Sequence, residues 1–158
     1  MAKVLIIYYS KTGNTKRMAE LVQEGAKRQK AEAVLKEVSE VNPDELLNYD
    51  GIIMGSPTYY GGMAYEMKQL LDESVRHHGK LEGKVGGAFS SAANIGGGNE
   101  TTILGILQAM LIHGMIVQGT SFGDHYGPVA IEAPDDRAEK QCIALGERVA
   151  KLAKSMAV

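Results

Sequence analysis

The chain has 158 residues, 44% hydrophobic and 23% charged, with 17 basic side chains against 19 acidic ones and a net charge of −2. These values suit one globular domain, residues 1–158, that buries roughly 70% of its unfolded surface, and they exclude disordered and collagen-like chains. The single Cys142 excludes an internal disulfide or a multi-cysteine metal site, and the charge balance leaves no basic surface for nucleic acid.

In chain order, residues 4–9 form a short continuous apolar run, the pattern of a strand buried on both faces. Met18, Leu21, Val22 and Ala26 recur at helical spacing and predict a helix from 15 to about 30. A second strand follows at 33–38, and Pro43-Asp44-Glu45 opens a helical turn ending near Tyr49. Strand three is expected at 51–54, helix two at 64–74, strand four at 84–89, helix three at 101–113 and strand five at 115–119. A glycine-rich loop then leads to a last helix from about 135, with Ala138, Cys142, Leu145, Val149, Leu152 and Met156 on its buried stripe. The stretch 103–117 contains Gln108, His113 and two glycines and is too short to span a bilayer. With no cleavage signal at the N-terminus, the expected location is cytoplasmic, with no membrane contact.

Strands alternating with helices imply parallel βαβ units and a doubly wound α/β sheet of five strands with helices on both faces. Ligands of such sheets bind beyond the carboxyl ends of the strands, where strand order reverses. The loops after strands one, three and four are therefore where chemistry is expected, and all three are unusual in composition.

Ser10-Lys11-Thr12-Gly13-Asn14-Thr15 joins strand one to helix one. Hydroxyls, an amide and unpaired helix N–H groups converge there, a setting that attracts an anion. Neither the Walker pattern nor the dinucleotide glycine pattern fits this segment. After strand three come Gly55-Ser56-Pro57-Thr58-Tyr59-Tyr60-Gly61-Gly62-Met63, in which a planar ring could rest on a tyrosine face or on close-lying backbone. After strand four come Phe89-Ser90-Ser91-Ala92-Ala93-Asn94-Ile95 and then Gly96-Gly97-Gly98-Asn99-Glu100-Thr101-Thr102. A long loop of this kind is more often functional than idle.

The first loop resembles the phosphate loop of flavodoxins, the type case of FMN bound at this switch point. The later loops, with His113-Gly114-Met115, resemble the NAD(P)H:quinone oxidoreductases of the WrbA type. The resemblance runs from Ser10 to about Gly119, with an echo at His125-Tyr126-Gly127-Pro128. It implies a flavodoxin-like strand order 2-1-3-4-5 and FMN held by Ser10, Lys11, Thr12, Gly13, Asn14 and Thr15. Pro57, Thr58, Tyr59, Tyr60 and Gly61 would hold it from the second loop, and Ser90, Ser91, Ala92, Asn94, Gly96 and Gly97 from the third. NAD(P)H and a quinone are the implied small-molecule partners, and a homodimer or homotetramer the implied assembly; by composition, the apolar-flanked loops 59–65 and 122–131 are reasonable contact surfaces. The chain departs from that family in having Tyr59-Tyr60 where arginine and an aromatic are common, Ile112 before His113, and no tryptophan.

Charge separates a reductase from an electron carrier independently of family. Segments 56–65 and 90–99 carry no acid, and 10–17 carries Lys11, Lys16 and Arg17. Asp124 is the one carboxylate expected nearby. An anionic reduced flavin is then unopposed, which favours two-electron hydride transfer over single-electron carriage. His125 and Tyr126 are the candidate catalytic side chains, with His113 a third option or a helix cap. Gly55-Ser56 at the end of strand three excludes a phosphoacceptor aspartate there, and Cys142 with Arg148 lies inside a helix, away from the turn that activates a nucleophilic thiolate.

Overall fold

A computed structural model describes residues 1–157. Five parallel strands carry the sheet in the order β2-β1-β3-β4-β5: β1 (Lys3–Tyr8), β2 (Glu32–Glu37), β3 (Gly51–Pro57), β4 (Val85–Ala92) and β5 (Ile116–Val117). A sixth, β6 (Val129–Ile131), also pairs with β4. The helices are α1 (Asn14–Arg28), α2 (Tyr65–Glu73), α3 (Asn99–Ile112) and α4 (Asp136–Met156). This is the doubly wound α/β sheet expected from the alternation of patterns, in the strand order that the resemblance implied.

Both faces of the sheet are covered, which is why β3 and β4 read as unbroken small and apolar runs. On one face, Val4, Ile6, Ile53 and Phe89 pack with α1 and α4 through Met18, Val22, Cys142 and Val149. On the other, Leu5, Ile7, Ile52 and Met54 pack with α2 and α3 through Met67, Leu70, Ile106 and Met110. Cys142 is fully buried, and burial pushes its thiol up to about 12, so it is inert core.

The fifth strand is where the structure departs from the sequence reading. One strand was expected at 115–119; instead β5 pairs with β4 at Val85 and Gly86, and β6 resumes beside Ser90, Ser91 and Ala92. Residues 118–128 leave the sheet edge between the two. Asp124 secures this excursion: its carboxylate accepts from Arg137 Nη1 at 2.8 and 2.9 Å and from Val129 N at 2.9 Å. Gln141 Oε1 accepts from Asp124 N at 3.3 Å. β6 has only three residues behind Pro128, below the length at which alternation can be read.

The end of the molecule opposite the strands' carboxyl termini holds a histidine cluster. Ser74 Oγ donates to Leu71 O at 2.6 Å, so at 2.8 Å it can only accept from His113 Nε2–H. The buried Nδ1 of His113 is then a bare lone pair without a partner. Burial lowers the His113 pKa, with smaller contributions from His78 and His77. Its folded pKa lies below the unfolded value of about 6.5, so its share of stability is present above that pH and is lost as pH falls through the folded value. Urea midpoints measured from pH 7.5 to pH 5 are expected to fall with pH, and less steeply in His113→Asn. Parallel slopes in the two proteins would remove His113 as the cause.

Candidate functional site

α1 begins at Gly13, whose left-handed backbone (φ 100°) turns the chain sharply out of β1. Gly13 N–H donates to Ser10 Oγ at 3.1 Å, and the first helical bond runs from Arg17 N to Gly13 O at 3.0 Å. The N–H groups of Asn14, Thr15 and Lys16 precede that bond, and no side chain caps the helix. They form a ready anion cradle, with the positive end of the helix dipole behind it.

The cradle opens into a cleft of about 330 Å³ lined by Lys11, Thr12, Asn14, Thr15, Pro57, Thr58, Tyr59, Ser91, Ala92, Ala93 and Glu132. Hydroxyls tie its walls together. Thr15 Oγ1 meets Ser91 Oγ at 2.9 Å in a buried contact, and Thr58 Oγ1 meets Ser90 Oγ at 2.9 Å. These pairs lock the ends of β3 and β4 to the first turn of α1.

The loop after β3 is a tight turn. Tyr59 and Gly62 exchange backbone hydrogen bonds of 2.8 and 3.1 Å, and both central residues, Tyr60 (φ 50°) and Gly61 (φ 76°), are left-handed. That is a type I′ geometry, and it costs a non-glycine residue such as Tyr60 roughly 1–2 kcal/mol. The Tyr60 side chain stands fully in solvent, while Tyr59 packs edge-on against Tyr9 with ring centroids 6.4 Å apart. Partial burial, then the Glu66 carboxylate, raises the Tyr9 phenol above its ordinary value. The turn is held from α3: Thr101 Oγ1 donates to Gly61 O at 2.6 Å. Gly98 is left-handed (φ 110°), and a side chain there would sit 2.6 Å from Gly61 Cα. The two loops therefore approach one another backbone to backbone.

Lys11, Thr12, Asn14, Thr15, Pro57, Thr58, Tyr59, Ser91 and Ala92 thus line one cleft, as the three-loop reading expected. Ser10, Gly13 and Ser90 support it from behind through the bonds just described. Tyr60 and Gly61 form the turn at its edge. Asn94, Gly96 and Gly97 lie in the third loop, where Gly97 N donates to Asn94 O at 3.2 Å.

His125 and Tyr126 are exposed on the 118–128 excursion and do not line the cleft; His125 Nδ1 lies 2.9 Å from Thr120 O. His113, offered as a third option, caps the far end of α3, a helix of 14 residues and so roughly 20 Å long. Asp124 serves Arg137 and not the cleft. The carboxylate in the cleft is Glu132, which the sequence reading missed. It follows β6 directly, its N–H donates to Ala92 O at 2.8 Å, and its backbone is left-handed (φ 58°). Only recognition of β6 could have placed it there.

The residues fit FMN. The uncapped α1 terminus, with Lys11 and Thr12, suits a phosphate, the Thr58 and Ser91 hydroxyls suit a polyol, and Tyr59 offers a flat face to a ring. Among the described residues no group of side chains could hold a metal ion, and no helix is long and apolar enough to cross a membrane.

A family model for flavodoxin matches residues 6–149. The chain is 41% identical to a flavodoxin of Aquifex aeolicus over 96% of this chain and 86% of that one. It is 34% identical to an NAD(P)H dehydrogenase (quinone) of Archaeoglobus fulgidus over 99% of this chain and all of that one. Among solved structures, a WrbA-like flavodoxin from Agrobacterium tumefaciens superposes with a TM-score of 0.85 at 29% identity, covering 98% of this chain and 99% of that one.

Proposed function

The chain belongs to the flavodoxin family, whose cofactor is FMN, and from that footing we propose that it is an NAD(P)H:quinone oxidoreductase. The observation that supports this reading is the charge around the cleft. Lys11 and the positive end of α1 stand at one end, while the loops over the ring site, 56–65 and 90–99, carry no acid. Glu132 apart, such surroundings favour negative charge on a fully reduced ring.

FMN, when bound, supplies the hydride chemistry. The chain's own residues bind and orient. The N–H groups of Asn14, Thr15 and Lys16 hold the phosphate, and the Thr58–Ser90 and Thr15–Ser91 pairs fix the walls. Tyr59, braced by Tyr9, keeps one face of the ring dry. We assign His125 and Tyr126, exposed on the excursion outside the cleft, to the approach of NAD(P)H or quinone. His125 Nδ1 meets Thr120 O, which leaves Nε2 as the ring nitrogen open to a ligand.

A second reading, an electron carrier serving a protein partner, is favoured by Glu132, whose negative charge in the cleft opposes full reduction. The alignment with the Archaeoglobus relative also runs to 190 positions against 158 residues here, so that relative carries segments this chain lacks.

Anaerobic stopped-flow separates the two. FMN-loaded protein mixed with NADH or NADPH is expected to bleach in one two-electron step and recover on adding benzoquinone. No reaction with either nucleotide, with a persistent one-electron species on photoreduction, would establish the carrier. In the same assay His125→Ala is expected to slow quinone turnover several-fold with FMN affinity unchanged. Equal turnover would reduce His125 to a brace for its own loop.

A further inference from the structure

The second half of α4 carries an arginine that the fold leaves without an acid. Arg17, Arg28, Arg76 and Arg137 are exposed, and each pairs with a carboxylate: Glu139, Glu24, Asp44 and Asp124 at 3.6, 2.6, 3.5 and 2.8 Å. Arg148 is half-buried and pairs with none of the carboxylates of the described residues. Its one hydrogen bond runs from Nε to Gln118 O at 3.3 Å. That bond fixes the plane of the guanidinium and leaves both Nη groups without a protein partner. Neither Nη is sealed from solvent. Burial alone pushes the Arg148 pKa down, with no acid acting against it. A cation withdrawn from water without a counter-charge costs free energy that an anion beside it would offset.

Arg148 lines a cavity of about 480 Å³ between α1, α4 and Gln118, the first residue of the 118–128 excursion. Lys151, one turn further along α4, lines the same cavity, is exposed and has no ion pair among the described residues. The acid on the wall, Glu147, is already engaged by Arg28 of α1 at 3.7 Å. Gln29 and Gln118 bring side-chain amides, and Ala144 and Leu152 an apolar stretch of wall.

We propose that this cavity binds an organic phosphate, with the phosphate held by Arg148 and Lys151 and the carbon body against Ala144 and Leu152. Charge and size select the class. A guanidinium fork and an ammonium on one wall match a dianion, whereas a carboxylate would leave one cation unmatched. The volume lies in the range that holds a whole small molecule, and the two amides can donate to and accept from its hydroxyls. The site is separate from the FMN cleft. Arg148 lies roughly 16 Å along α4 from Arg137, the residue that secures Asp124 and the strand leading to Glu132. The inference goes beyond the oxidoreductase reading and does not depend on it.

The test is calorimetric titration of the FMN-loaded protein, its own phosphate cradle filled, with ribose 5-phosphate, inorganic phosphate and ribose. Ribose 5-phosphate is expected to bind with a Kd below about 1 mM, inorganic phosphate at least about tenfold more weakly, and ribose not at all. Arg148→Gln and Lys151→Glu should each weaken ribose 5-phosphate at least about tenfold, with FMN content unchanged. Lys151 is exposed, so its variant reads the site even where Arg148→Gln disturbs the root of the excursion. Lys140→Glu, an equal charge change on exposed α4 surface, should bind as the wild type does. No binding of ribose 5-phosphate by the wild type overturns the proposal, as does binding that survives both cavity substitutions. An equal loss in Lys140→Glu would assign the effect to net charge and also overturn it. Inorganic phosphate bound as tightly as ribose 5-phosphate would overturn the organic assignment.

Discussion

Replacing Thr12 and Thr15 together by alanine is expected to strip FMN from the protein. Thr12 lies exposed in the cleft, and Thr15 is buried at the first turn of α1 with its hydroxyl 2.9 Å from Ser91 Oγ. A phosphate seated on the N–H groups of Asn14, Thr15 and Lys16 would keep those donors in the variant and lose both hydroxyls. Hydrogen bonds to a charged group contribute about 1.5–3 kcal/mol each, so the pair should weaken binding by a factor of roughly 10² to 10⁴. Ser91→Ala should cost less, because it removes the partner that holds Thr15 and a neutral hydroxyl facing the polyol, but no bond to the charged phosphate. Quenching of flavin fluorescence on titration measures both. Wild-type affinity in the double variant would move the phosphate to another part of the cleft.

Gly146→Leu should be the most destabilising of the substitutions considered, without touching the cleft. α1 and α4 cross with their backbones in contact. A Cβ on Gly146 would lie 1.9 Å from Val22 O, and one on Gly25 would lie 2.0 Å from Ile143 O. Both obstacles are main-chain atoms of helices fixed to the sheet by Met18, Val22, Leu145 and Val149. Gly-to-Leu inside a helix gains nearly 1 kcal/mol of propensity, which the overpacking must exceed. Separating the helices also opens the core on both sides, so a net loss of about 3–4 kcal/mol is expected, a drop in Tm of roughly 10 °C. Thermal unfolding of the apo-protein reads it without interference from cofactor loss. A variant as stable as the wild type would show that α4 can slide outward freely.

Local patterns carried much of this molecule. Val4 to Ile7 read as a strand buried on both faces because the run is continuous, and Met18, Leu21 and Val22 read as a helix stripe because helical spacing is set by neighbours in the chain. The turn from Ser10 to Thr15 was legible for the same reason: hydroxyls, a glycine and a helix start follow one another in sequence, and the structure leaves that helix start uncapped. The ends of elements were less sharp. β3 and β4 run three residues further than their apolar cores suggest, through Pro57 and Ala92, because parallel pairing with each other holds Ser56 and Ser91 in the sheet.

What the sequence by itself determined was the α/β alternation, the three loops that meet above the sheet, and the helix start that lies among them. Only the tertiary structure decided which acid enters the cleft, where His113 lies and how strand five is built. Asp124 is nearer in sequence to the candidate residues His125 and Tyr126, yet Arg137 from the next helix holds it, while Glu132 reaches the cleft because β6 takes its register from β4. His113 stands beside Gly114 and Met115 in the run that carried part of the resemblance, but a helix of 14 residues separates it from the cleft. Each outcome depends on pairing between segments far apart in the chain. Periodicity records what a residue needs on its own element, and it holds no information on which distant strand will supply the partner.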